Sequence, residues 1–204
     1  MFAVAIMCNA KKGVSAKQLQ RDLEVSYKTA WYLEHRIREA MITGNWTDEK
    51  MTGTVEADET YIGGKYDKRL KRAKYDKPAV FGMLERETGR VYATHIKQTP
   101  NQWQVGQHIE AMATNEARMM TDESRLYTNL ERRGFAHEIV IHSDKEWVRG
   151  EVHTQSIDGF WGLVKRGVIG AFHQVSIKHL DRYVNEFQYL SLIHISEPTR
   201  LRRI

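Results

Sequence analysis

The acidic run in VEADETYIGG is the first place where this sequence offers chemistry. Strand alternation sets Glu56, Asp58 and Thr60 on one face and Val55, Ala57 and Glu59 on the other. Three acids in four residues of an otherwise apolar strand repel one another unless a proton, a base or a cation intervenes, and a divalent metal is one solution. An edge strand with a wet polar face is the alternative. A second acid, Asp122 in TDES, follows a short apolar stretch. A carboxylate leaving the C-terminal end of a central strand is well placed for a ligand site, although an aspartate there also serves as a turn or helix cap. A third, Asp158 in HTQSIDGFWGLVKRG, lies seven residues before Lys165, nearly two helical turns, so acid and base share a face. The plainer reading makes Asp158 a helix-dipole partner and Lys165 a lysine whose stem lies along the surface. Three separated carboxylates can hold two magnesium ions about 3.5–4 Å apart, one activating water or a 3′-hydroxyl and the other stabilising the departing oxygen. Asp144 in HSDKEW and His153 stay as rivals for supporting or metal roles.

The elements that must position these acids follow from hydrophobic period. Thr54 to Tyr61 reads as a first strand, Pro78 to Glu85 as a second and Arg90 to Lys97 as a third, with Glu87-Thr88-Gly89 as a hairpin turn. Trp103 to Ala117 reads as a helix, Arg118 to Thr121 as a short strand ending at Asp122, and His137 to Ser143 as a fifth strand. From Thr154 or Ser156, either a plausible cap, to Arg166 the chain is helical, with Ile157, Phe160, Trp161 and Val164 on one flank. Strands, a helix, then further strands and helices imply an α/β domain on a mixed sheet. Ahead of it, Leu19 and Leu23, then Ala30, Leu33 and Ile37, recur at helical spacing, with Ser15 and Ser26 as N-caps and Leu23-Glu24-Val25 as the corner between two helices. As a helix-turn-helix this module would bring Ser26, Tyr27 and Lys28 near a DNA groove, while a helical hairpin buttressing the core fits the same periodicity. The mixed polar stretch Thr43 to Thr54 reads as a linker, placing a boundary near residue 50.

With 204 residues the chain has room for one sizeable core and a small helical module. Its net charge of +5 is accounted for by Lys65 to Lys77, where seven Lys or Arg stand against two Asp. Lys65, Lys68, Arg69, Lys71 and Arg72 would suit a nucleic-acid backbone, and equally a solvated surface. Cys8 is the only cysteine, which excludes an intrachain disulfide and a multi-cysteine zinc site within these residues. No stretch approaches 18 consecutive apolar residues, and the apolar start lacks a signal-peptide pattern, so the expected location is cytoplasmic.

The run VEADETYIGGK, the TDES segment with Tyr127 following, and above all HTQSIDGFWGLVKRG resemble the DDE transposases of bacterial insertion sequences, in the ISXO2-like group with a zinc ribbon, a helix-turn-helix and a ribonuclease-H-like catalytic domain. SAKQLQRDLEVSYKTAWYLEHRIREAM is similar to that group's helix-turn-helix, and the likeness covers roughly residues 13 to 189. The resemblance implies a ribonuclease-H-like mixed sheet with flanking helices over residues 51–189, preceded by a helix-turn-helix-like module over 1–50. It implies a triad of Asp58, Asp122 and Asp158 holding two Mg²⁺ ions, with Mn²⁺ as substitute, and Asp158 standing where the family usually has Glu. Lys165 matches the lysine that contacts DNA near the cleaved phosphate, and Arg166 beside it adds charge there. The implied activity is metal-dependent cleavage and strand transfer on double-stranded DNA bearing terminal inverted repeats, by a homo-oligomer at the bacterial nucleoid. The alternative is a catalytically inactive DNA-binding remnant. The residues from Met1 onward carry no cysteine-rich zinc ribbon, and Met1 is expected to be internal to a longer original frame; LSLIHISEPTR from Leu190 resembles the translation of a sequencing-library adapter, so residues 190–204 are expected to be a non-native tail, disordered or only incidentally helical.

Overall fold

Alternating side chains over Thr54–Tyr61 and an apolar run over Ala79–Leu84 make the central strand of a five-stranded sheet and its neighbour. The computed structural model describes residues 1–43, 49–63, 66–67, 72–73, 77–97, 99–140 and 153–195. Its strands are β1 (Thr54–Tyr61), β2 (Tyr66–Asp67), β3 (Arg72–Ala73), β4 (Ala79–Glu85), β5 (Val91–Ile96), β6 (Arg118–Asp122) and β7 (Ala136–Val140). The helices are α1 (Phe2–Asn9), α2 (Ala16–Leu23), α3 (Tyr27–Thr43), α4 (Gln102–Met112), α5 (Gln155–Gly167) and α6 (Leu180–Ile195). The sheet order is β5-β4-β1-β6-β7, with β1 antiparallel to β4 and parallel to β6, the ribonuclease-H-like arrangement. One face buries Val55, Ala57, Phe81 and Met83 with Val105 and Ile109 of α4. The other buries Val80 and Leu84 beneath Ile157, Trp161 and Val164 of α5 and Val184 and Phe187 of α6. Every residue of β4 is buried, as expected of a strand covered on both faces.

The helical start is built from three helices, and α1 is the one that the alternation of polar and apolar residues did not announce. Its Ala3 and Met7 pack with Leu19, Ala30, Ile37 and Met41. Ser15 accepts the Gln18 N–H at 3.2 Å and Ser26 the Thr29 N–H at 3.1 Å, so both expected caps close their helices. Between them Glu24 takes a left-handed conformation, φ 54°, and turns the chain.

Several expected boundaries move. The helix expected over Trp103 to Ala117 spans Gln102–Met112, because the Asn101 side chain caps it at Gln104 and a parallel bridge from Met51 to Ala113 pulls the chain out of the helix. The Met51 N–H donates to Met112 O at 2.7 Å, and the Thr114 N–H to Met51 O at 2.9 Å. The turn at Glu87-Thr88-Gly89 forms as expected, with Gly89 at φ 68°. The strand expected over His137 to Ser143 is β7, and residues 141–143 lie outside the described residues. The backbone of β2 and β3 pairs as a short antiparallel hairpin within the basic stretch. Residues 190–195 continue α6, with Leu190 fully buried, so helix propagation from a packed helix carries through the start of the expected tail. Residues 196–204 lie outside the described residues.

Candidate active site

Asp58 sits late in the central strand and faces α5. Its partner across β4 is Gly82, and the missing side chain there makes room for Trp161: a Cβ on Gly82 would lie 2.5 Å from the Trp161 indole. On the other side β1 runs parallel to β6 in the register Thr54↔Arg118 to Glu56↔Met120; continued two residues, that register would set Asp58 beside Asp122, whose charge does bear on Asp58. Asp122 Oδ1 accepts the Ser124 N–H at 3.0 Å, a turn that fixes the carboxylate at the strand end. Asp158 occupies the first turn of α5, exposed, with its own N–H donated to Thr154 O at 3.1 Å. Strand, strand end and helix start thus bring the three acids to one end of the sheet.

What fixes the helix start is Glu56. Thr154 holds the cap position, but its side chain makes no capping bond, which corrects the expectation that Thr154 or Ser156 caps α5. The fully buried Glu56 carboxylate does so instead, its Oε2 accepting the Ser156 and Ile157 N–H groups at 2.9 Å each. Its Oε1 accepts from Arg86 Nε at 2.6 Å, and Arg86 Nη2 donates to His153 O at 2.6 Å. His153 Nδ1 lies 3.0 Å from Arg86 Nη2 and 3.4 Å from Glu56 Oε1, which ties the ring to this network. On the opposite face of β1, Glu59 accepts from Tyr127 Oη at 2.6 Å and Ser124 Oγ at 3.3 Å.

Burial, and after it the charges of Glu59, Asp122 and Asp158, push the Asp58 carboxyl up to about 7. Burial also raises Glu59, against the stabilising hydrogen bond from Tyr127. Among the described residues no three His, Cys, Asp or Glu side chains are gathered closely enough to hold a metal ion. The charges of Asp122 and Asp158 nevertheless both reach the Asp58 carboxyl.

Lys165 and Arg166 lie exposed in the last turn of α5. In the helical module Tyr27 and Lys28 are exposed at the start of α3, and Lys17 lies over the Tyr27 ring at 4.9 Å. Ser26 is exposed too, its hydroxyl engaged as the α3 cap. Lys65, Lys68, Arg69, Lys71 and Asp144 lie outside the described residues, and Arg72 is described only as backbone in β3. Sequence reasoning missed the capping role of Glu56 and the Tyr127–Glu59 bond. The available signal was a glutamate at a core-facing strand position, which requires a partner.

The sequence profile of the ISXO2-like transposase domain matches residues 50–191. A Halobacterium salinarum protein described as an uncharacterized protein in transposable element ISH50 is 26% identical over 201 residues, an alignment covering 91% of this chain and 67% of that protein. Among solved structures, the HTLV-2 integrase catalytic core domain in complex with magnesium superposes with a TM-score of 0.41 at 11% identity, over 70% of this chain and 86% of that one. A chain of the simian T-cell lymphotropic virus intasome in complex with the PP2A regulatory subunit B56 gamma gives 0.47 at 14% identity, over 88% and 65%.

Proposed function

The chain belongs to the ISXO2-like transposase domain family, and from that premise we propose that it cleaves DNA strands at the ends of an insertion sequence and transfers them to a target, with divalent metal held by Asp58, Asp122 and Asp158. One observation carries the reading: three acids from β1, the end of β6 and the first turn of α5 are brought to one end of the sheet, and the charges of Asp122 and Asp158 both bear on Asp58. The donor set suits the group in kind, because carboxylate oxygens are ligands for Mg²⁺ or Mn²⁺ and an array of like charges gains from a cation, although the three side chains would have to draw closer to share one. When bound, such ions supply an activated water or 3′-hydroxyl and charge stabilisation on the leaving oxygen.

The chain's own residues account for the rest. Strand pairing with Gly82 of β4 holds the Asp58 backbone, and the Ser124 turn orients Asp122. The exposed ammonium of Lys165, on the helix that carries Asp158, offers a counter-charge to a phosphate. Tyr27 and Lys28 at the exposed start of α3 offer contacts to double-stranded DNA carrying terminal inverted repeats, and a homo-oligomer would hold two such ends. In the test, duplex DNA bearing the element's ends is cleaved in Mg²⁺ or Mn²⁺ by the wild-type chain and not by Asp58→Ala. Cleavage that persists in chelator overturns the proposal. A second reading, DNA binding without cleavage, is favoured by the shorter acid at position 158 and would appear as salt-dependent binding with no metal-dependent product.

A further inference from the structure

We propose that Glu56 is a positioning residue that sets the distance between Asp58 and Asp158 by clamping the start of α5 to β1, with Arg86 as its counter-ion; this rests on the metal-binding reading above. Glu56 and Asp58 are two residues apart on one face of β1, so the clamp lies about 6.5 Å from the first acid along a rigid strand. On the helix it grips the N–H groups of Ser156 and Ile157, the two residues immediately before Asp158. Two rigid elements are therefore joined at a single carboxylate adjacent to both acids.

The chemistry of the clamp is strong for its size. A helix start leaves N–H groups without intrahelical partners and carries partial positive charge, so a carboxylate satisfies both at once through charge-assisted bonds. Thr154 leaves that role open. A buried carboxylate needs a cation, and Arg86 Nε meets it at 2.6 Å, while the same guanidinium holds His153 O at 2.6 Å and so fixes the residue ahead of the helix. With Oε2 spent on two N–H groups and Oε1 on Arg86, Glu56 is committed to orientation and leaves ligation to its neighbours.

Substituting a residue that only stabilises the fold lowers the melting temperature and leaves the affinity of the folded protein for metal unchanged. Substituting a positioning residue lowers both. The full chain is titrated with Mn²⁺, following the free-ion electron paramagnetic resonance signal at a temperature where circular dichroism shows each variant folded. We expect Asp58→Asn and Asp158→Asn to lose Mn²⁺ binding and Glu56→Gln to weaken it about tenfold or more, the loss typical of residues that orient metal ligands. Glu56→Asp keeps the charge but is one methylene shorter, and serves where Glu56→Gln does not fold; a smaller but measurable loss of affinity is expected. Wild-type affinity in the folded Glu56 variants, alongside loss in the Asp variants, overturns the inference alone. A wild-type chain that takes up no Mn²⁺, or Asp variants that bind it unchanged, overturns the metal-binding reading and the inference with it.

Discussion

Gly82 and Asp158 are two positions at which the candidate site can be tested by single substitutions. Gly82 faces Asp58 across β4, and a methyl group there would come within 2.5 and 2.7 Å of two Trp161 ring atoms. Trp161 is buried beneath α5, so its ring cannot swing into solvent and α5 itself would have to shift. Gly82→Ala is expected to destabilise the fold by about 1–3 kcal/mol, read from urea denaturation. An unchanged midpoint would mean that the indole repacks freely. At position 158 the expectation runs the other way. Aspartate is one methylene shorter than the glutamate implied for this position, and a misplacement near 1 Å costs about a hundredfold in rate. Asp158→Glu, in the exposed first turn of α5 where either acid suits the helix dipole, should leave stability unchanged and raise Mg²⁺-dependent cleavage by up to about a hundredfold. Equal or lower cleavage would show that α5 is already set for the shorter acid.

Where α3 meets α6, a buried charge cluster makes the joint between two elements sensitive to pH. Arg38 is fully buried, 2.7 Å from Glu186 and 3.4 Å from Glu34, with its guanidinium 4.1 Å from the Tyr183 ring centroid. One cation serves two buried carboxylates, and burial pushes Glu34 up to about 7 despite Arg38. The adjacent His35 is buried in a stack with Trp31 and His179, at 4.2 and 4.7 Å between ring centroids. Burial, and then the positive charges of Arg38, His179 and Arg182, press it down to about 4. Glu34 keeps its proton when folded, so its contribution is complete below about 4.5 and is lost as pH rises to about 7. His35 refuses a proton when folded, so its contribution is complete above about 6.5 and is lost as pH falls to about 4. The two slopes oppose each other over most of this range. The stability difference Glu34→Gln minus wild type should therefore climb between pH 4.5 and 7, and that for His35→Phe should fall between pH 4 and 6.5, in denaturant midpoints taken across the range. Parallel curves for all three proteins would refute this assignment of the buried charges.

Across the whole molecule, what the sequence made legible was what is local. Alternation announced β1 to the residue and β4 and β5 to within one, and the apolar flank Ile157, Phe160, Trp161 and Val164 announced the buried side of α5. The end of α4, the cap of α5 and the α3–α6 joint escaped it, because each is decided by a partner far along the chain: Met51 for Ala113, Glu56 for Ser156, Glu186 for Arg38. The helix α6 did carry a readable signal in Leu180, Tyr183, Val184 and Phe187 at helical spacing. These long-range joints also connect the helical start to the sheet, since α3 meets α6 through Arg38 and α6 meets β5 through Gln188, whose amide bonds both Ala93 N and Ala93 O at 2.9 Å. If α3 presents Tyr27 and Lys28 to DNA while the acids act on the phosphate, the two tasks should separate by mutation. Each lysine that meets a phosphate displaces about one counterion, so Lys28→Ala should lower the slope of log affinity against log salt by about one while leaving Mn²⁺ affinity unchanged. Asp58→Asn should do the converse, losing Mn²⁺ binding while DNA affinity in chelator holds or rises, because a negative charge would have left the end of the sheet proposed to meet DNA. Fluorescence anisotropy of labelled duplex at several salt concentrations, paired with Mn²⁺ titration of the same samples, reads both quantities. A Lys28→Ala slope identical to wild type would remove the start of α3 from the DNA interface, and a fall in DNA affinity for Asp58→Asn in chelator would show that Asp58 orders the binding surface as well as the metal site.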